Sequence, residues 1–301
     1  MRMKWTGVLP AITTNLRADG AVDHAALAQH CRWMIDSGCS GIVCCGSLGE
    51  AATLGFDEKL AIAATCVQAV GERAPVVLGI AALGTAEAIA LARGAADAGC
   101  AGLMVLPPYV YSSDWREMRA HAGAVIGATQ LSCMLYNNPP AYRTDFLPEQ
   151  IADLADEHAN LRAVKESSGD VRRITAIRAL LRERLAVLVG LDDAVLEGVA
   201  AGAQGWIAGL VNAFPAESVA LFDAAMRGEQ QRALELYRWF LPLLRLDTVP
   251  KFVQLIKWVQ AEVGRGTPVV RPPRLPLAGA ELESVRVVLV QALRNRPALR
   301  A

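Results

Sequence analysis

Short apolar runs rich in Val, Ile and Leu recur along the chain, separated by longer stretches with helical spacing. The runs are 7-GVLPAITT, 41-GIVCCGS, 75-PVVLGIAA, 102-GLMVLPP, 131-LSCMLYNN, 161-LRAVKES, 185-LAVLVGL and 205-GWIAGL. Each is too short for a helix core and closes near Gly, Pro, Asn or Ser, as a buried parallel strand does. Segments such as 23-DHAALAQHCRWMIDSG, 57-DEKLAIAATCVQAVG, 85-TAEAIALARGAADAG and 170-DVRRITAIRALLRE fill the gaps. Several open on Asp, Ser or Thr and close on Gly, which predicts an N-cap and a C′ residue.

Eight such units predict a (β/α)8 barrel, an α/β fold, over residues 1–228. The rival is an open doubly wound sheet. It would need a phosphate loop at its switch point, and neither GxGxxG nor GxxxxGK[ST] occurs. From 229-EQQRALELYRWFLPLLRLD through 250-PKFVQLIKWVQAEVG to 280-AELESVRVVLVQALRNRP the pattern is helical throughout. Residues 229–301 are therefore expected to form a C-terminal helical extension packed on the barrel or on a partner subunit. The 271-RPPRLPL segment reads as a stiff connector.

Composition narrows the function classes. The 301 residues are 53% hydrophobic, and 30 basic side chains balance 30 acidic ones. With no basic run, nucleic acid and anionic membranes are not expected partners. The apolar stretches fall short of the ~18 residues of a membrane span. The N-terminal MRMKWTGVLPAITTN lacks a signal-peptide h-region, so a cytoplasmic location is expected. The seven cysteines are odd in number and lack CxxC or Cys/His spacing, which predicts buried free thiols. No HExxH or carboxylate cluster calls for a metal, and no cofactor is expected. Asp192 and Asp193 read as an N-cap pair, and the four histidines fall in helices or at helix ends.

Barrel enzymes carry reactive groups at the C-terminal ends of their strands. Of the five lysines, Lys165 alone lies in a strand-like run. A barrel lumen would desolvate it, favour the neutral amine, and make it a nucleophile for a carbonyl. The plain alternative is a rim lysine paired with Glu166 or Asp170. Tyr136 ends the preceding strand, where its phenol can relay the protons of imine formation; otherwise it fills the core. The loop 46-GSLGE follows the second strand. Gly46 and Gly49 permit close backbone approach, and the amides of Ser47, Leu48 and Gly49 can face an anion. An ordinary βα turn is the alternative. Lacking Lys or Arg, the loop suits a carboxylate better than a polyphosphate. Together the three features point to a 2-oxo or 2-imino acid attacked at C2.

GSLGE, LPPY, LYNNP, AVKESSGD and GWIAGLVN, in this order, resemble the dihydrodipicolinate synthase / N-acetylneuraminate lyase family over essentially the whole chain. The resemblance implies a homotetramer or homodimer with lysine Schiff-base chemistry. It makes Lys165 the Schiff-base lysine, Tyr136 the relay and Ser47 the first hydroxyl of the carboxylate loop. Leu48, Gly190 and Ile207 line the same mouth. Departures from the synthase pattern point elsewhere within the family. Leu48 stands where a second loop threonine is expected. Val110 follows Tyr109 where a second tyrosine is expected, with Tyr111 one further on. Ala141 stands where an arginine is expected, and Arg143 lies two beyond. GSLGE with LYNNPPAYRTD is most similar to the Δ1-pyrroline-4-hydroxy-2-carboxylate deaminases. That likeness implies conversion of 1-pyrroline-4-hydroxy-2-carboxylate to 2-oxoglutarate semialdehyde in hydroxyproline catabolism. A pyruvate-type aldolase, a dehydratase of a sugar-derived 2-oxo acid and a non-catalytic 2-oxo acid sensor are the alternatives.

Overall fold

The computed structural model describes residues 3–108 and 114–299. Its eight strands are β1 (Gly7–Pro10), β2 (Ile42–Cys44), β3 (Val76–Ile80), β4 (Gly102–Val105), β5 (Ser132–Asn137), β6 (Leu161–Glu166), β7 (Ala186–Val189) and β8 (Gly205–Ala208). Each lies inside one of the eight apolar runs. All neighbouring pairs are parallel, in the order β1-β8-β7-β6-β5-β4-β3-β2. A parallel bridge between Ala11 and Val43 joins the two ends. The sheet is thus a (β/α)8 barrel, and its strands are buried almost end to end, which is why they read as unbroken apolar runs.

The helices follow the predicted spacing. His24–Asp36 opens on Asp23, whose carboxylate accepts the Ala26 amide at 3.0 Å, and it ends before Gly38 at φ 96°. Phe56–Val70 begins one residue earlier than 57-DEKL suggests, with Gly55 in the capping position and the Glu58 carboxylate accepting the Gly55 amide. Asp192 and Asp193 do not cap a helix: the capping position of that turn is Leu191, without a side-chain cap. The Asp192 carboxylate instead accepts the amides of Gly209 and Leu210 and the indole N–H of Trp206, pinning the end of β8. All seven cysteines are buried free thiols.

Beyond the barrel lie helices Gln230–Leu244, Phe252–Glu262 and Gly279–Arg294. The 271-RPPRLPL segment is a strap. The Arg271 guanidinium donates to the carbonyls of Gly20 and Thr53 and to both oxygens of Glu58. Pairing with Arg271 holds the Glu58 carboxyl down at about 2. No helix among the described residues is long and apolar enough to cross a membrane.

Candidate active site

At the C-terminal ends of the strands lies a cavity of about 510 Å³, and Ser47, Tyr136, Lys165, Gly190 and Ile207 all border it. Tyr136 and Lys165 are register partners on β5 and β6. The Lys165 Nζ sits over the Tyr136 ring, 4.0 Å from its centroid. The lysine is 6% exposed. Unlike the rim pairing considered from sequence, it bonds neither to Glu166 nor to Asp170. Glu166 accepts from Ser168 N and Asn137 Nδ2 and lies 3.7 Å from Arg173. Asp170 pairs with Arg172.

The other buried lysines differ. Lys59 donates to the Ala81 carbonyl at 2.8 Å, and Lys257 is paired with Glu50 at 2.7 Å and donates to the Thr14 carbonyl. The Lys165 amine has no hydrogen-bond partner among the described residues. Gly190 leaves space for both Ser167 and the lysine stem: a Cβ there would collide with Ser167 Oγ and lie 2.7 Å from Lys165 Cε and 2.8 Å from Cγ.

The 46-GSLGE loop turns sharply off β2. Cys45 and Glu50 hold left-handed backbone at φ 54° and 58°, an uncommon state for residues with side chains. Glu50 N bonds to Ser47 O, Ala51 N to Gly46 O, and the Thr14 hydroxyl donates to Gly49 O. The amides of Ser47, Leu48 and Gly49 donate to no group among the described residues. The Leu48 side chain is buried against the cavity. Gly49 itself does not border the cavity, and a Cβ there would lie 3.1 Å from Ile12 O and 3.2 Å from Cys45 N.

The site contains residues the sequence reading did not single out. The Ser47 hydroxyl is hydrogen-bonded to the Tyr142 phenol, whose ring stands edge-on to that of Tyr136 at 5.6 Å. Asn138 Nδ2 donates to the Tyr136 hydroxyl at 2.9 Å. Both lie in 136-YNNPPAY, next to the relay candidate, so proximity in sequence could have flagged them. Asp247, Thr248 and Phe252 reach the cavity from the C-terminal region, and Arg274 from the strap. Glu50 is fully buried; besides Lys257 it accepts the Arg271 amide and lies 3.9 Å from Arg274. Burial lowers the Lys257 pKa, and Glu50 opposes that shift. Arg143 is exposed, and Ala141 borders the cavity in its stead. Tyr109, Val110 and Tyr111 lie outside the described residues.

A parallel eight-stranded barrel with a lysine, a phenol and a glycine-flanked loop around one mouth defines the architecture of a strand-end enzyme. The model of the Dihydrodipicolinate synthetase family matches residues 4–292, and the chain belongs to that family and is an enzyme of it. It is 31% identical to the 4-hydroxy-tetrahydrodipicolinate synthase of Geobacter metallireducens, over 94% of this chain and 97% of that one. The 4-hydroxy-tetrahydrodipicolinate synthase structure from Methylacidiphilum fumariolicum SolV superposes with a TM-score of 0.93 at 26% identity, covering 97% of each chain. A dihydrodipicolinate synthase from Acinetobacter baumannii, complexed with pyruvate, gives 0.90 at 29% identity, over 96% of this chain and 99% of that one.

Proposed function

We propose that the protein is a Schiff-base lyase that holds a small 2-oxo or 2-imino acid by its carboxylate and attacks C2 with Lys165. The observation that carries this is the Lys165 amine, buried at the end of β6, bordering the cavity and free of hydrogen-bond partners among the described residues. The free amides of Ser47 and Leu48, which border the cavity, form the carboxylate seat, with Gly46 giving the chain its approach, while Gly49, expected there from the sequence, does not border it. Tyr136, oriented by Asn138, passes protons to and from the carbinolamine, and its contact with Tyr142 extends the path to Ser47. Gly190 makes room for the lysine, and Ile207 supplies apolar wall. The iminium is its own electron sink, so no cofactor or metal is assigned.

The preferred substrate is 1-pyrroline-4-hydroxy-2-carboxylate. Lys165 adds to C2 and the ring C2–N bond breaks, leaving an amine on C5. A proton leaves C3, the C4 hydroxyl departs as water, and the resulting enamine shifts to a C5 imine. Water then releases ammonia from C5, and a second water frees Lys165 and 2-oxoglutarate semialdehyde. Leu48 and Ala141 support this reading, because a substrate with one carboxylate needs neither a second loop hydroxyl nor a second carboxylate clamp. The second reading is a pyruvate aldolase of the synthase type, favoured by the names of the curated relatives and by the pyruvate bound to the Acinetobacter baumannii enzyme. A homotetramer or homodimer, and a cytoplasmic location, are proposed with either.

Incubation with enzymatically prepared 1-pyrroline-4-hydroxy-2-carboxylate separates the two. Ammonia release that Lys165→Ala abolishes is expected. No ammonia, with condensation of pyruvate and an aldehyde instead, would establish the aldolase.

A further inference from the structure

One carboxyl in the cavity has no part in the chemistry described so far. Asp247 lies between the helices Gln230–Leu244 and Phe252–Glu262, on a short turn over Arg245–Asp247. It borders the same cavity as Lys165 and Gly190. Its seat is made by Gly209 at the end of β8: a Cβ there would lie 2.7 Å from Asp247 Cγ. Any larger residue at 209 would push the carboxyl aside. The neighbouring Asp192 cannot share its task, since three N–H donors occupy its oxygens. The Asp247 carboxyl accepts no hydrogen bond among the described residues, so its oxygens are available to a ligand.

We infer that Asp247 handles the proton of a hydroxyl on C4 of the substrate once C2 is joined to Lys165. The site is then built for 4-hydroxy-2-oxo and 4-hydroxy-2-imino acids. This rests on the Schiff-base reading above. With C2 joined to Lys165 on β6 and C1 on the loop after β2, Asp247, beside Gly209 past the end of β8, is a carboxyl of the same cavity open to the rest of the substrate. Loss of the C4 hydroxyl needs a proton. When the C4–O bond breaks, the Asp247 carboxyl gives its proton to the departing hydroxide and water leaves. The proton lost from C3 goes to solvent through the Tyr136 relay, and Asp247 takes one back from solvent, so the balance is the loss of one water. In a retro-aldol cleavage the same group works in reverse: the carboxylate takes the C4 hydroxyl proton, the C3–C4 bond breaks into the enamine on Lys165, and an aldehyde leaves.

The groups facing Asp247 fit both uses. Burial and the charges of Asp192 and Asp193 push its carboxyl well above the usual range, while Lys165 pulls it down. Asp192 is itself raised to about 6 by burial. Asp193 is tied to Arg245 at 4.0 Å, and Arg274, which also borders the cavity, lies 3.9 Å from Glu50. The cationic iminium on Lys165 keeps the charge that favours the Asp247 carboxylate, and loss of the C3 proton turns it into a neutral enamine, which favours the protonated donor as the C4–O bond breaks.

The test compares wild type with Asp247→Asn and Asp247→Glu in three assays. These are ammonia release from 1-pyrroline-4-hydroxy-2-carboxylate, pyruvate release from 4-hydroxy-2-oxoglutarate, and borohydride trapping of pyruvate on Lys165. Asp247→Asn is expected to lower kcat on whichever hydroxy acid the wild type uses by about 10²–10⁴-fold, with KM within a few-fold. It should still form the pyruvate adduct, and Asp247→Glu should recover part of the turnover. Undiminished turnover in Asp247→Asn would overturn the inference. So would parallel loss of the pyruvate adduct, which marks a structural role. A wild type that traps pyruvate yet uses neither hydroxy acid would overturn it while leaving the Schiff-base reading intact. No adduct in wild type would remove both.

Discussion

At the scale of single residues, the proposed chemistry rests on what is left unbonded. Three of the chain's lysines are buried, but Lys59 and Lys257 are committed to carbonyl or carboxylate partners and only Lys165 borders the cavity. The placement of Lys165 and Tyr136 near the ends of their strands was legible in the sequence, because each closes a local apolar run and stands one residue before its strand ends. Leu48 was legible because its loop follows closely on β2, whose end faces the mouth. Asp247 and Arg274 were not, since nothing near them in sequence says that the C-terminal segments fold back over the mouth. Asp192 was misread as a cap because a Leu-Asp-Asp turn after a strand has the local form of one, while its donors lie on and just past β8, up to 18 positions away. Gly190 carries a prediction at this scale. Gly190→Ala places a Cβ into the Lys165 stem, and an ångström of displacement at a reacting centre can cost on the order of 100-fold in rate. The variant should keep its far-ultraviolet circular dichroism and lose about that factor in the rate of pyruvate trapping. Trapping at the wild-type rate would mean that the lysine stem is not held by this contact.

Elements show the division between local and long-range information more clearly. All eight strands and the long helices follow from periodicity, because each buries its own apolar positions and needs no distant residue to define it. The 46-GSLGE loop is different. Its shape depends on left-handed Glu50, whose buried carboxylate is held by Lys257, 207 positions later, and by the Arg271 amide of the strap. The loop, the helix Phe252–Glu262 and the strap thus form one electrostatic unit around a carboxylate that is 1% exposed. Removing one partner of a buried ion pair leaves an uncompensated charge and costs about 3–5 kcal/mol. Lys257→Met is expected to lower unfolding free energy by that amount in a urea titration, and adding Glu50→Gln should recover much of it. A loss below about 1 kcal/mol for Lys257→Met alone would show that the pair does not hold the loop.

Across the whole molecule, the barrel presents strand-end groups from β2, β5, β6, β7 and β8 to one cavity, and the segments after residue 228 supply its remaining wall. That wall separates this chain's mouth from one built by the barrel alone: Asp247, Thr248, Phe252 and Arg274 all reach it from there. The family could be recognised from five short motifs along the strands and their loops, whereas the residues of this outer wall, on which the proposed substrate choice rests, lie outside those motifs. Both substrate readings share one covalent step, the Schiff base on Lys165, and its most direct test is borohydride reduction in the presence of pyruvate followed by peptide mass mapping. A single reduced pyruvate adduct on Lys165, absent from Lys165→Ala, is the predicted result. No adduct, or an adduct carried by Lys59 or Lys257, would contradict the account.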